Sequence, residues 1–498
     1  MKNYILSVYF GYHDSSITFA DDKEIILHLE AERYFRKKHI HLNKEQMFEL
    51  INYSLHYLNI DIKQVKEVLV AKWNNQFNSN ETINGKNFNL IETGHHNNHI
   101  GTIFPIHKSD CLIVCADGGS EDGTTKFYYK DNNNNISLIA DYDSEVITGK
   151  FYGTITQMVI DPNVGRAHDT YPGKTMGLAG LGKYSVNYNN LLEKNGKEIN
   201  KLHNDGVENL NKIFGLSNDY SKPWRDEKRC DLAFTAQLYW QNNFIEKILK
   251  HSNISKNIAL VGGCALNVSL ISALDDLKIF KKIITTPIAS DCGQSLGAIM
   301  YRYPNTICKY PFLGRHFGDD IKKIPNRLIQ DLVDKKIIAW YQGKSEIGPR
   351  ALGHRSFLGL PSTIKLKDKL SIDIKKREPY RPISPITTEE NLSKFFKINH
   401  PSPFMTFSPK INQVLKKIAP AIVHYDDTSR IQTISKSDNP VLHELLVEIG
   451  KITGVPILMN SSLNIAGEPI VDSIEDAFRN FHNSEADVLY INGKRYVK

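Results

Sequence analysis

The chain has 498 residues, a net charge of +7, and 41% hydrophobic against 23% charged residues. That balance excludes a disordered or fibrous polymer and leaves room for two to four globular domains at about 100–200 residues each. No apolar run reaches the roughly 18 residues of a membrane span, and the opening MKNYILSVYFGYHDSS has no small-residue cleavage site, so a cytoplasmic protein without a membrane partner is expected.

Residues 4–10 (YILSVYF) predict a buried strand ending in the polar turn His13-Asp14-Ser15-Ser16, and EIILHLE predicts another. Residues 44–58 carry helical period with a charged start. At 112–116, LIVCA predicts a strand that ends in Asp117-Gly118-Gly119, followed by the strand TTKFYYK. The opening block and this one share a plan, apolar strand then acidic turn then second strand, which points to a duplicated α/β domain with a cleft. Residues 186–224 are polar connections with one or two helices, and 231–250 form a long amphipathic helix. The strand IALVGG, a helix from about Asn267, the strand KKIITTP and the helix QSLGAIMYRY complete this part. Prolines and mixed charge over 304–330 suit a domain boundary. A second α/β unit begins near 335 with KIIAWYQG and runs through PILMNSS and DVLYING.

The six cysteines, at 111, 115, 230, 264, 292 and 308, form no C-x-x-C pair, which excludes a zinc ribbon and a disulfide framework and fits a reducing compartment. The net charge hints at an anionic ligand without implying nucleic acid. Basic runs such as Arg36-Lys37-Lys38-His39 and Lys375-Lys376-Arg377 are, taken alone, solvated faces.

On a helix, His95 and His99 lie one turn apart on one face, which suits two imidazole ligands of one metal ion. Position 96 is His rather than Glu, which excludes the zinc-protease pattern. Such a pair alone is commonly two surface histidines. Asp117 and Asp291 both sit where an apolar strand ends, and two His with two Asp form a mixed N/O set compatible with Fe(II), Mn(II) or Zn(II). Each Asp alone also serves as a turn former or helix cap.

Gly262-Gly263-Cys264-Ala265-Leu266-Asn267 follows a strand and opens a helix whose N-terminus could take a nucleotide phosphate. Gly173-Lys174-Thr175-Met176-Gly177-Leu178-Ala179-Gly180 suggests phosphate too, without matching the P-loop. The strongest local signal is GKSEIGPRALGHRS at 343–356, followed by IKKREPYRP from Ile374, then Arg430 and the NSSLN of 460–464. Guanidinium forks beside glycine and proline suit a small, doubly charged phosphate compound. The plainer reading is a set of surface ion pairs.

Taken together, GPRALGHRS, IKKREPYRP and NSSLN with GEPIVDSIEDAF, in that order, resemble the O-carbamoyltransferases of the nodulation-protein and tobramycin-tailoring type, over nearly the whole chain. The resemblance implies an α/β protein. Residues 1–320 would form a threonylcarbamoyl-transferase-like domain of the duplicated actin/hexokinase type. Residues 321–498 would form a YrdC-like domain. The second domain would join carbamoyl phosphate and ATP, releasing pyrophosphate and forming carbamoyl adenylate, with Mg for the ATP. The first, with a divalent metal (Fe(II) foremost, Mn or Zn as alternatives), would pass the carbamoyl group to a hydroxyl and leave AMP.

By motif match, Arg350, Lys375, Arg381, Arg430 and Ser462 would hold carbamoyl phosphate and nucleotide phosphates, with Arg350 and Lys375 also catalytic. His95, His99, Asp117 and Asp291 would bind the metal. Gly118, Gly262, Gly263, Asn267 and Asn460 would face the nucleotide. His13 and Asp231 fall where acceptor or general-base groups belong. Two departures stand out: His354 occupies the usual Asn of GPRALGNRS, and Leu463 replaces an aromatic residue.

The acceptor alcohol stays open between a sugar, an antibiotic-like alcohol and a hydroxymethylated nucleotide or nucleic acid, and a homodimer is compatible with the sequence. A threonylcarbamoyl-transfer enzyme acting on tRNA is the enzymatic alternative. A non-catalytic nucleotide switch is the third, and it leaves the C-terminal arginines without a task.

Overall fold

The structure is a computed structural model that describes residues 2–71, 77–162, 171–202 and 206–498. It divides into two compact units: Met1–Phe35 with His39–Tyr310, and Arg36–Lys38 with Pro311–Lys498.

The first unit holds two five-stranded sheets of the same design. In the first half, β1 (Tyr4–Tyr9) pairs antiparallel with β2 (Ser16–Asp21), and β2 antiparallel with β3 (Ile25–Glu30). Helix α1 (Lys44–Leu58) crosses over to β4 (Val65–Ala71), which runs parallel to β1. A separate hairpin, β5 (Asn80–Ile83) with β6 (Lys86–Asn89), precedes the short β7 (Ile91–Thr93), parallel to β4. The order is β3-β2-β1-β4-β7. α1 starts where it does because Asn43 and Gln46 form a reciprocal capping box. Its apolar face (Met47, Leu50, Ile51) buries with Leu6, Val8, Ile17, Phe19 and Leu27 of the sheet.

The second half repeats this. After α2 (His95–Gly101), β8 (Cys111–Ser120) pairs antiparallel with β9 (Gly123–Lys130), and β9 with β10 (Ile136–Asp141). A helical crossover follows, through α3 (Gly149–Val159), α4 (Tyr171–Ala179), α5 (Val186–Lys201) and α6 (Glu227–Leu249). It delivers β11 (Asn257–Val261) parallel to β8, and α7 (Val268–Asp276) leads to β12 (Lys282–Ile284), parallel to β11. The order β10-β9-β8-β11-β12 matches that of the first sheet position for position. This is the duplicated actin/hexokinase-type plan. Helix α8 (Gln294–Arg302) then packs against β1, β2, β4 and α2.

Two local expectations need correction. β8 does not stop before Asp117. It runs on to Ser120, which pairs with Gly123 across a register shift, so the acidic residue sits within a strand. The Gly173–Ala179 stretch is helical, within α4, rather than a turn between a strand and a helix.

The second unit is one seven-stranded mixed sheet. Its strands are β13 (Ile338–Tyr341), β14 (Arg355–Gly359), β15 (Ser384–Thr388), β16 (Gln432–Ile434), β17 (Ile457–Ser462), β18 (Val488–Ile491) and β19 (Lys494–Tyr496). Their order is β16-β15-β17-β14-β13-β18-β19. Helices α9 (Pro440–Thr453) and α10 (Ile474–His482) lie against it, the second opened by a Ser473–Asp476 capping box. A short helix over Ile364–Asp368 widens into a π-helix over Lys369–Ile374 and ends at Lys375. Such widened turns recur at functional sites. Among the described residues no helix is long and apolar enough to cross a membrane.

Candidate metal centre and cationic pocket

Helical spacing puts His95 and His99 on one face of α2, and both rings are buried. β8 contributes Asp117, and the turn before α8 contributes Asp291. The four side chains converge. His99 Nε2 lies 2.9 Å from Asp117 Oδ2 and 3.1 Å from His95 Nε2. Both imidazoles lie 3.4 Å from Asp291 Oδ1, and His95 Nε2 is 3.8 Å from Asp117 Oδ2. Four ligands about 2.1 Å from one tetrahedral ion would stand about 3.4 Å from each other. The observed edges scatter around that value.

Two further observations fit a cation at the centre. Asp291 Oδ1 is buried with no hydrogen-bond partner. The set also favours positive charge: burial opposes it, yet Asp291 and Asp117 hold His95 up at about 10 and raise His99 as well. Burial likewise works against the two carboxylates, but the imidazoles hold both below the usual range. A divalent ion would supply that charge and displace the protons.

A supporting layer orients these groups. Tyr9 Oη donates to Asp291 Oδ2 at 2.6 Å. The amide of Gly118 donates to Asp117 Oδ1 at 2.6 Å, and that of Gly263 to Asp117 Oδ2 at 3.3 Å. His13 Nε2 stands 3.5 Å from Asp291 Oδ2, while its Nδ1 meets Asp14 at 2.9 Å. Asp14 in turn meets His39 Nδ1 at 2.7 Å.

In the second unit, positive charge gathers with almost no acid to balance it. Burial, followed by Arg350, Arg381 and Arg377, depresses the Arg430 guanidinium well below its usual value. Burial and Arg381 bring Arg350 to about 10 and Arg377 to about 9. Arg381 pairs with Glu378 at 3.6 Å, and Arg430 Nε donates to Ser384 Oγ at 3.0 Å. Four guanidinium groups so gathered repel one another, and an anion among them would relieve that repulsion.

The chain matches the family model Carbamoyltransferase N-terminus over residues 79–300 and Carbamoyltransferase C-terminus over residues 329–498. It belongs to the carbamoyltransferase family. Nodulation protein NolNO of Sinorhizobium fredii is 33% identical over 52% of this chain and 43% of that protein. Nodulation protein NolO of Bradyrhizobium diazoefficiens is 33% identical over 47% and 48%. The chain thus spans about half the length of these relatives. An uncharacterized Synechocystis protein is 25% identical over 98% of this chain and 95% of that one. Among solved structures, component A of the Acidaminococcus fermentans (R)-2-hydroxyglutaryl-CoA dehydratase is similar over 61% of this chain and 99% of that one, at 15% identity and a TM-score of 0.39.

Several of the residues expected at a site are engaged within the protein. Asp231 sits on α6, where its carboxylate accepts from the Lys183 amide at 2.8 Å instead of joining the histidine–aspartate cluster. Gly262, at φ 85°, is required by close packing, because a Cβ there would fall 2.2 Å from the Ala116 carbonyl oxygen. Asn267 caps α7 and pairs with Gln237. Asn460 is 1% exposed, and its amide nitrogen donates to the Ala351 carbonyl and to Gln432. Lys375 is 2% exposed and its Nζ donates to Ser462 and Asn464.

His354 lies 3.5 Å from Phe312 in a stacked pair, and its Nδ1 meets the Lys344 carbonyl at 2.6 Å. Burial lowers it to about 4, so it is neutral and Nδ1 carries the proton. It therefore donates as the amide nitrogen of an Asn would. Tyr9 and Arg377 were missed in the sequence. The first carries no motif, and the second stood inside IKKREPYRP without a role of its own.

Proposed function

We propose that this family member is an ATP-dependent O-carbamoyltransferase whose C-terminal unit makes carbamoyl adenylate and whose N-terminal unit transfers the carbamoyl group to an alcohol. The observation that carries the reading is the cluster of Arg350, Arg377, Arg381 and Arg430. Carbamoyl phosphate and ATP are both polyanions, and such a cluster would neutralise the charge that develops on their phosphates.

Balance of atoms requires two leaving groups. Water cleaves carbamoyl phosphate to carbamate and phosphate. A carbamate oxygen then bonds to the α-phosphorus of ATP, and pyrophosphate departs with the electron pair. In the second step the acceptor oxygen bonds to the carbamoyl carbon, AMP leaves, and the hydroxyl proton must go to a base.

His95, His99, Asp117 and Asp291 would hold a divalent ion, Fe(II), Mn(II) or Zn(II), and their convergence supports this. When bound, the ion supplies Lewis-acid polarisation of a coordinated oxygen. His13, between Asp291 and Asp14, would contact the acceptor hydroxyl; against burial, those carboxylates raise its pKa to about 9, so it would take the hydroxyl proton only in its neutral form. His95, His99 and Asp291 are buried, which would limit hydrolysis of the adenylate by water. The acceptor class is a hydroxyl compound.

ATP–pyrophosphate exchange tests the reading. Label should pass from pyrophosphate into ATP only when carbamoyl phosphate is present. Exchange without carbamoyl phosphate, or none at all, would overturn it.

A further inference from the structure

We infer that Asp122 and Tyr128 form a clasp that fixes the histidine-bearing helix α2 in advance, and so act as positioning residues for the His95, His99, Asp117 and Asp291 cluster. The inference rests on the metal reading above and concerns how the ligands are held. It gives a role to His96, the histidine of that stretch outside the cluster.

α2 spans seven residues, His95–Gly101, and a helix that short is unstable by itself. Its N-cap is Gly94, which brings no side chain to the first-turn amides. Asp122 serves them from outside the helix: its Oδ2 accepts from the His96 amide at 2.8 Å. Glycine at 94 leaves room for this, since a Cβ there would stand 3.1 Å from Asp122 Oδ2. The His96 ring, 1% exposed, meets the second point of the clasp. Its Nδ1 lies 2.9 Å from Tyr128 Oη, with the two ring planes at 85°.

Both points belong to the β8–β9 hairpin. Asp122 sits in the turn between Ser120 and Gly123, and Tyr128 on β9. The turn is itself held. The Asp122 amide donates to Ser120 Oγ at 3.2 Å, and Ser120 Oγ donates to the Gly123 carbonyl at 3.1 Å. Asp143 accepts from the Thr124 and Thr125 amides at 2.7 and 2.8 Å. Gly123, at φ 105°, lets Asp143 come this close, because a Cβ there would fall 2.1 Å from its Oδ2.

Strand β8 of the same hairpin carries Asp117. One hairpin thus supplies one ligand and fixes the helix that supplies two more. Without the clasp, an ion would have to order α2 as well as bind it, and the entropy of that ordering would weaken binding.

The test uses the full chain, stripped of metal and titrated with Co(II) against a chelator, with the visible absorption of the ion as a second readout. Asp122→Ala and Tyr128→Phe should each weaken cobalt binding about three- to tenfold, the worth of one capping or buried hydrogen bond. Asp122→Asn keeps an acceptor oxygen and should restore most of the loss. The absorption at saturation should match wild type in all three, because the ligands are intact. In the metal-free protein, hydrogen–deuterium exchange over residues 94–101 should quicken in Asp122→Ala and Tyr128→Phe. A lowered melting temperature with wild-type cobalt affinity would make the pair merely structural and overturn the inference, as would unchanged exchange over α2. If wild type takes up no cobalt, the metal reading fails, while exchange in the metal-free protein still judges the clasp.

Discussion

Gly101 of α2 and Gly297 of α8 meet where the two helices cross: a Cβ on Gly101 would fall 2.0 Å from the Gly297 carbonyl oxygen, and one on Gly297 would fall 1.8 Å from the Asn98 carbonyl oxygen. Glycine at both positions brings the backbones together. α2 carries His95 and His99, and α8 follows directly from Asp291. The crossing therefore sets the separation of three of the four candidate ligands.

Gly297→Ala should push α2 away from Asp291. Overpacking of this kind costs about 1–3 kcal/mol. The melting temperature of the variant should fall, and its metal content after purification should fall with it. Retention of full metal stoichiometry in a destabilised variant would separate the crossing from the site.

Tyr9→Phe removes the hydrogen bond to Asp291 Oδ2 and leaves the ring in place. Outer-layer partners of metal ligands are worth about 10–100-fold in affinity. Competition with a chelator should show a loss in that range, while His95→Ala should abolish binding. Unchanged chelator competition in Tyr9→Phe would mean that Asp291 needs no such support.

Asp331 gives the second unit a pH-dependent anchor. Its fully buried carboxylate accepts from Lys336, Arg495 and Tyr490 at 2.7 Å each. Burial alone would raise its pKa, but these donors hold it well below the usual range. An unfolded Asp titrates near about 3.9, so the stabilisation is complete above that value and is lost as pH falls through the lower folded value. Breaking such a buried set costs about 3–5 kcal/mol. Asp331→Asn should melt lower at neutral pH and show a shallower decline than wild type below about pH 4.

Arg430→Ala removes the guanidinium that feels the other three arginines. Relief of like-charge repulsion should leave ligand-free stability unchanged or raise it, while exchange falls by about 10²-fold or more, as when a charged contact in a preorganised site is lost. A melting temperature that drops in step with activity would show that Arg430 acts through folding.

Much of this was legible in the sequence where periodicity or motif order carried it. H-x-x-x-H predicts a shared helical face, and α2 provides one. The repeated strand–acid–strand plan predicts duplication, and the two sheets match in order. What stayed hidden depends on contacts remote in sequence. Tyr9 reaches Asp291 across 282 residues with nothing around it to mark the pairing. Asp231 looked equally available as a base, and only the fold reveals that the Lys183 amide takes it. Lys375 and Arg377 share one motif, which does not encode that Lys375 Nζ meets Ser462 and Asn464 while Nε and Nη2 of Arg377 have no hydrogen-bond partner.

The way ATP is cleaved separates adenylate formation from every other use of the nucleotide. Purified protein incubated with α-labelled ATP and carbamoyl phosphate, with products separated by chromatography, decides this directly. AMP that forms together with pyrophosphate, and only when carbamoyl phosphate is present, is the predicted result. ADP as the labelled product, or AMP formed equally well without carbamoyl phosphate, would contradict it.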